Sequence, residues 1–296
     1  MTEQAPARDA AEERSAVEQI VSTKAYVDKP ELLSWYTSEL EEPKPDVRDL
    51  FESYSKVPRA DVVAHIKHIR DEAFKIHPYP CLGNWGFLNF SIGTGPAYHQ
   101  VVSRIKNGER FLDLGCCMGQ DIRKLVRDGA PSGNTYASDL KRDFWDFGYD
   151  MFLDRSTLQT EFVQADIFDP DSQLKQLDGT VDIVNAASFF HLFDWDGQVK
   201  AAKRVAQLLK PVPNSVIIGR QGGQPQAGKI AHLMKDVNAF WHNVESWKDM
   251  WKKVGEETGT EWTVEAKLGE EDLSKRMKTQ LIPPATGFMT FVIRRV

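Results

Sequence analysis

The sequence predicts an α/β fold: a central, mostly parallel sheet with an antiparallel last strand, preceded by a helical N-terminal extension. Three observations carry this. From Glu109 onward, short apolar runs alternate with amphipathic stretches, the pattern of a parallel sheet covered on both faces. The first apolar run ends in a glycine-containing turn that opens into a helix. Two consecutive strand-like runs close the chain, Glu261–Leu268 and Gly287–Arg294.

The extension is taken as residues 1–105 and the sheet-forming core as 106–296. The first two dozen residues are helix-prone but weakly apolar and read as a frayed leader. Between Pro30 and Phe51, apolar residues at helical spacing are interrupted at Pro43-Lys-Pro45, which predicts two short helices. Arg59–His77 predicts a third, with Val62, Val63, Ile66, Ile69, Ala73 and Phe74 on one side, closed by His-Pro-Tyr-Pro. A glycine- and aromatic-rich loop then leads into a helix near Gly95–Ile105.

In the core, strands are expected at Arg110–Leu114, Thr135–Ser138, Glu161–Ala165, Val181–Ala186 and Ser215–Gly219. Helices are expected near Gln120–Asp128, Lys141–Leu153 and Gln198–Leu209, with further helices at Lys229–Lys235 and Val244–Thr258.

Composition narrows the function. The 296 residues can bury a full apolar interior. Lysine plus arginine number 37 against 43 acids, and no basic cluster is interleaved with aromatics, so nucleic-acid capture is disfavoured. The three cysteines lack any C-x-x-C spacing, which argues against a metal site and for a reducing compartment. With no secretory-type leader and no apolar run long enough to span a bilayer, a cytoplasmic location is expected.

The most informative stretch is Arg110-Phe-Leu-Asp-Leu-Gly-Cys-Cys-Met-Gly119-Gln-Asp. Gly115 lets backbone approach a ligand, and the helix after Gly119 points its first amides into the same crevice. A nicotinamide fingerprint would need glycine at 117 and 120, where cysteine and glutamine stand. Roughly two dozen residues after Gly115, the second strand ends in Asp139, where a carboxylate can accept from both ribose hydroxyls of an adenosine. The third strand ends in Asp166. Asp113, Asp139 and Asp166 thus stand at the tips of three strands, although each could instead cap a helix or close a turn.

The fourth strand leads through Asn185 and Ala186 to Ser188-Phe-Phe-His-Leu-Phe, so the reaction centre is expected between Asn185 and His191. His191 could be a general base, a donor that orients an acceptor oxygen, or a buried, hydrogen-bonded histidine. Arg220 follows the fifth strand and could pair with an acceptor carboxylate or with an acid of this chain. Trp85, Phe87 and Phe90 could form a lid or anchor the N-terminal helices, and Tyr36, Phe189, Phe190 and Trp241 are further candidate pocket residues. Cys116 and Cys117 read as packing residues, not nucleophiles.

These motifs resemble those of fungal secondary-metabolite methyltransferases, especially the meroterpenoid-pathway members of the Rossmann-like class I fold. The resemblance lies in Glu31-Leu-Leu-Ser-Trp-Tyr36, Phe111–Asp121, Ala137-Ser-Asp-Leu140, Ala165-Asp-Ile-Phe168 and Phe189-Phe-His-Leu-Phe193. It implies S-adenosylmethionine (SAM) as cofactor, held by Asp113, Gly115, Cys116, Gly119, Asp139, Leu140, Asp166, Ile167, Asn185 and Ala186. It also implies an apolar small-molecule acid as acceptor, methylated on its carboxylate. Methylation of a phenol or carbon stays open, as does a regulatory protein that keeps the fold without turnover. A homodimer is plausible for a helical leader that does not cover its own core.

Overall fold

The structure is a computed structural model, and it describes residues 34–231, 238–277 and 282–296. The leader, residues 30–33 of the first expected helix and the matching part of the Glu31–Tyr36 pattern lie outside the described residues.

Seven strands form one sheet in the order β3-β2-β1-β4-β5-β9-β8. They are β1 (Phe111–Leu114), β2 (Thr135–Asp139), β3 (Glu161–Gln164), β4 (Ile183–Asn185), β5 (Val216–Gly223), β8 (Trp262–Leu268) and β9 (Gly287–Arg295). The first five run parallel, and β9 inserts antiparallel between β5 and β8. Register places Asp113 beside Asn185, and Asn185 beside Ile218. Strand periodicity therefore sends Asp113, Asn185 and Ile218 to one face.

On that face Phe111, Ile183, Ile218 and Val292 pack with α3 (Tyr98–Lys106) and α4 (Gln120–Arg127). On the other, Leu112, Val184, Ile217 and Ile293 pack with α6 (Trp195–Leu208) and α7 (Val244–Thr258). The starts of α6 and α7 are fixed locally. Asp194 accepts the Gly197 N–H at 2.8 Å, and Asn243 and Ser246 cap one another reciprocally.

The N-terminal segment comprises α1 (Pro45–Asp49), which continues into a π-helical turn at Leu50–Tyr54, and α2 (Val62–Ile76). It docks on α5 (Arg142–Phe152), where Phe51 stacks on Phe152 with centroids 5.3 Å apart. His65 Nε2 lies 2.8 Å from the Met151 carbonyl. Val62, Ile66, Ala73 and Phe74 of α2 are buried as its spacing predicts, joined by Arg70.

Two expected helices need correction. Residues 34–44 hold only turns and bends, because Pro43 and Pro45 each remove a backbone donor from a short stretch. Lys229, expected in a helix to Lys235, lies in β6 (Gly228–Ala231), which pairs antiparallel with β7 (Asn238–Trp241); 232–237 lie outside the described residues. At Lys229 and Ile230, cross-strand pairing outweighs the helical character expected from sequence. No helix among the described residues is long and apolar enough to cross a membrane, and no metal-binding cluster occurs among them.

Candidate active site

The tips of β1, β2, β4 and β5 form the edge at which open parallel sheets bind ligands. Gly115 is exposed and has φ +71°, a conformation that glycine adopts without steric cost. A Cβ there would sit 3.0 Å from the ring of Phe189, so the bare backbone leaves that ring its place. Gly119, at φ +66°, starts α4. Between them Cys117 has φ +50°, in the left-handed region that favours glycine.

Asp139 is held rather than loose. Its carboxylate accepts the Cys117 N–H at 2.9 Å and the Lys141 N–H at 3.1 Å, with lone pairs left for a ligand. Burial pushes its pKa up, against these N–H contacts, which pull it down. Asp113 is 3% exposed and accepts from Asn185 Nδ2 at 2.8 Å. Burial and then the charge of Asp121 raise its pKa well above the usual carboxylate range, with Asp139 adding to the effect. Asp121 is also buried, accepting from the Ser91 hydroxyl at 2.6 Å and feeling the charge of Arg220.

This donor set fits SAM. The ligand carries a sulfonium and an ammonium, and the carboxylates of buried Asp113 and Asp121 and of half-buried Asp139 have pKa values raised by burial, as they would where positive charge is lacking. Buried Asn185 Oδ1 has no hydrogen-bond partner among the described residues and can accept an N–H. Leu140, beside Asp139, is 57% exposed, an apolar surface suited to a nucleoside. A cleft lined by Ser91, Ile92, Pro96, Asn185, Gly219 and Phe291 continues from this edge.

The expected residues separate into groups. Asp113, Gly115, Gly119, Asp139 and Asn185 come together around the turn. Ile167 and Ala186 are buried, while Cys116 has its side chain in the core at 2% exposure and turns only backbone toward the crevice. Asp166 stands apart: it is exposed and closes a turn by accepting the Phe168 N–H at 2.9 Å.

Phe190 is fully buried against Trp247, Trp251 and Phe291, so its expected place in a pocket is a place in the sheet core. Phe87 and Phe90 are buried in the N-terminal core with Trp85, whose indole N–H donates to the Glu39 carbonyl and whose ring lies under Arg70 at 3.6 Å. These three are anchors of the N-terminal segment. Tyr36 and Trp241 pack against the same cluster. Phe189 stays at the crevice, edge-on to Phe193.

Arg220 lies over Phe288 at 4.2 Å and acts electrostatically on Asp121, an acid of this chain. His191 Nδ1 accepts the Gly222 N–H at 2.6 Å. Sequence reasoning missed the residues that the N-terminal segment brings in. The charge of Asp139 is felt by Tyr79 and Cys81, and Cys81 and Cys117 pack against the same apolar cluster. Ser91 reaches Asp121. The His-Pro-Tyr-Pro stop signal marks the place where the first two enter, but says nothing of their destination.

A mostly parallel sheet with an antiparallel penultimate position, a glycine turn and acidic strand tips define a class I SAM-dependent methyltransferase. Residues 35–88 match the model of a family described as the meroterpenoid methyltransferase N-terminal domain, and residues 111–212 match a methyltransferase domain family. O-methyltransferase phiE of Fungal sp. (strain ATCC 74256) is 45% identical over 84% of this chain and 83% of its own. Methyltransferase adrK of Penicillium roqueforti is 40% identical over 82% and 88%. The Asnovolin E/Chermesin D methyltransferase nvfJ of Aspergillus novofumigatus is 42% identical over 74% and 79%. The chain belongs to this family of fungal secondary-metabolite methyltransferases.

Proposed function

We propose that the enzyme methylates a carboxylate oxygen of an apolar meroterpenoid-like acid, giving a methyl ester and S-adenosylhomocysteine. SAM supplies an activated methyl group when bound. Asp139 would take the ribose hydroxyls, while Asp113 and Asn185 would take the amino-acid end. Gly115 leaves room for the donor, and Phe189 walls the crevice against water. In the transfer a carbon–oxygen bond forms and the carbon–sulfur bond breaks, its electron pair staying on sulfur. No proton moves.

The observation that favours a carboxylate is the state of His191. Because Nδ1 accepts the Gly222 N–H, the neutral ring carries its proton on Nε2 and is a donor. A donor can orient an ionised carboxylate, which needs no base, whereas a phenol with a pKa near about 10 benefits from one. The relatives' names supply the class of acceptor: the family is described as meroterpenoid, and nvfJ as acting on asnovolin E or chermesin D. The free thiols of Cys81, Cys116 and Cys117 favour a reducing, cytoplasmic setting.

The test is mass spectrometry of the enzyme with SAM and a panel of farnesylated aromatic acids, followed by mild saponification. A product that returns to the starting acid is the expected methyl ester. A methylated product that survives saponification overturns the carboxylate reading in favour of an ether or a C-methyl group. In parallel, His191→Asn is expected to change the rate little; a large fall partly restored at high pH would point to a phenol.

A further inference from the structure

The least expected polar chain in the molecule runs behind the cofactor turn. The Tyr54 hydroxyl, at the end of the N-terminal π-helical turn, donates to Asp154 Oδ2 at 2.7 Å. Asp154 is gripped bidentately by Arg123, Nε to Oδ2 at 2.9 Å and Nη2 to Oδ1 at 3.1 Å. The remaining arm of the guanidinium, Nη1, donates to the Met118 carbonyl at 2.9 Å and the Gly119 carbonyl at 3.4 Å. One side chain from the N-terminal segment is thus two residues away from the carbonyls that shape the turn.

We infer that Tyr54 is a positioning residue for SAM binding: by completing the Asp154–Arg123 pair it fixes the carbonyls of Met118 and Gly119, and so couples docking of the N-terminal segment to cofactor affinity. This rests on reading the Gly115–Gly119 turn as the donor site.

The physical case has three parts. Arg123 is 0% and Asp154 3% exposed, and a buried ion pair repays its desolvation only when the remaining lone pairs are also satisfied. Tyr54 supplies that last bond, and it stays a donor because burial, then the Asp154 charge, push its pKa further above the usual phenol range. Second, the guanidinium is boxed, lying 4.5 Å from the Trp145 ring centroid and 5.2 Å from that of Phe152. Third, the turn has no slack on this side. A Cβ at Gly148 would lie 2.3 Å from the Met118 carbonyl oxygen, and one at Gly119 would lie 2.4 Å from Arg123 Nη1. A shift of the guanidinium must therefore move the turn, since close-packed interiors transmit displacement instead of absorbing it.

The test is calorimetric titration of the full chain with S-adenosylhomocysteine, comparing wild type, Tyr54→Phe and Phe51→Leu. Phe51→Leu loosens the same docking surface at its stack on Phe152 but leaves the phenol in place. Tyr54→Phe is expected to weaken binding about five- to tenfold, the low end of usual site-to-site coupling. Amide hydrogen exchange at Gly119 and Gln120 should quicken in Tyr54→Phe and not in Phe51→Leu.

Unchanged affinity in a folded Tyr54→Phe would overturn the inference. So would equal weakening by Phe51→Leu at an equal loss of melting temperature, because generic docking would then explain both. If Tyr54→Phe yields no folded protein, Arg123→Lys is measured instead. It keeps the charge but lacks the fork that spans Asp154 and the turn, and normal affinity there is equally fatal. Failure of wild type to bind S-adenosylhomocysteine would instead overturn the donor-site reading itself.

Discussion

His242 provides the sharpest quantitative prediction, because its environment disfavours one protonation state almost completely. It is 1% exposed, with the rings of Trp195, Phe240 and Trp247 centred 5.3, 4.9 and 5.2 Å away. Burial pushes its pKa down to about 4 from 6.5, and a hydrogen bond with the Ser246 backbone only partly opposes this; Nδ1 also lies 2.9 Å from Ser246 Oγ. The folded value lies below the unfolded one, so the unfolded chain binds the extra proton. His242 therefore costs nothing above about pH 6.5, and stability is lost as pH falls from there toward 4. At about pH 4.5 the loss amounts to about 2.5 kcal/mol. With an unfolding entropy of about 2.1 cal/mol/K per residue, that lowers the melting temperature by about 4 °C.

The acids around the turn act in the opposite sense. Asp113, Asp121 and Asp139 have raised pKa values, so their contribution is present at low pH and lost as pH rises through the folded values. A scan of the wild type alone mixes the two effects. The measurement is therefore a difference: wild type against His242→Gln, by scanning calorimetry at about pH 7 and about pH 4.5. The gap between them should shift by about 4 °C in favour of the variant on acidification. A gap that does not change with pH would refute the assignment of a neutral, buried imidazole.

Asp139→Ala is expected to weaken S-adenosylhomocysteine binding at least about tenfold, equivalent to the loss of one charge-assisted hydrogen bond. The chain should remain folded, and calorimetric titration showing wild-type affinity would remove the ribose site. Phe190→Ala is expected to cost about 3–5 kcal/mol in unfolding free energy, because its ring fills the core between α7 and β9. Denaturant melts check this; a stable variant with altered acceptor KM would return Phe190 to the pocket.

The parallel core was legible because each buried strand is a short apolar run that stops at a polar, turn-forming residue. Asp113, Asp139 and the glycines between them could be located on the same grounds, since strand tips in such a sheet share one edge. The β6–β7 hairpin was hidden for a physical reason. The stretch from Lys229 reads as helical, and only the pairing of Lys229 with Phe240 and Gly228 with Trp241 reveals the strand. The destinations of Trp85 and Phe90 were equally hidden. Aromatic residues in a glycine-rich loop serve a lid and an anchor alike, and only the Glu39 carbonyl and the Arg70 guanidinium decide between them. Asp166 shows the converse: a carboxylate at the predicted strand tip that closes a local turn by accepting the Phe168 N–H.

Cys117 connects these strands of reasoning. A non-glycine residue at φ +50° costs about 1 kcal/mol, a cost that glycine would avoid. Here the side chain is used: its thiol meets Cys81 of the N-terminal segment, while its own N–H goes to Asp139. Cys117 is thus the residue through which the N-terminal segment touches the turn from above, as Tyr54 does from behind through Arg123. A turn held from two sides by another part of the chain has less need of glycine's freedom. The N-terminal segment and the cofactor turn therefore constrain one another, and changes in either should be felt as changes in donor affinity before they are felt in the chemistry of the acceptor.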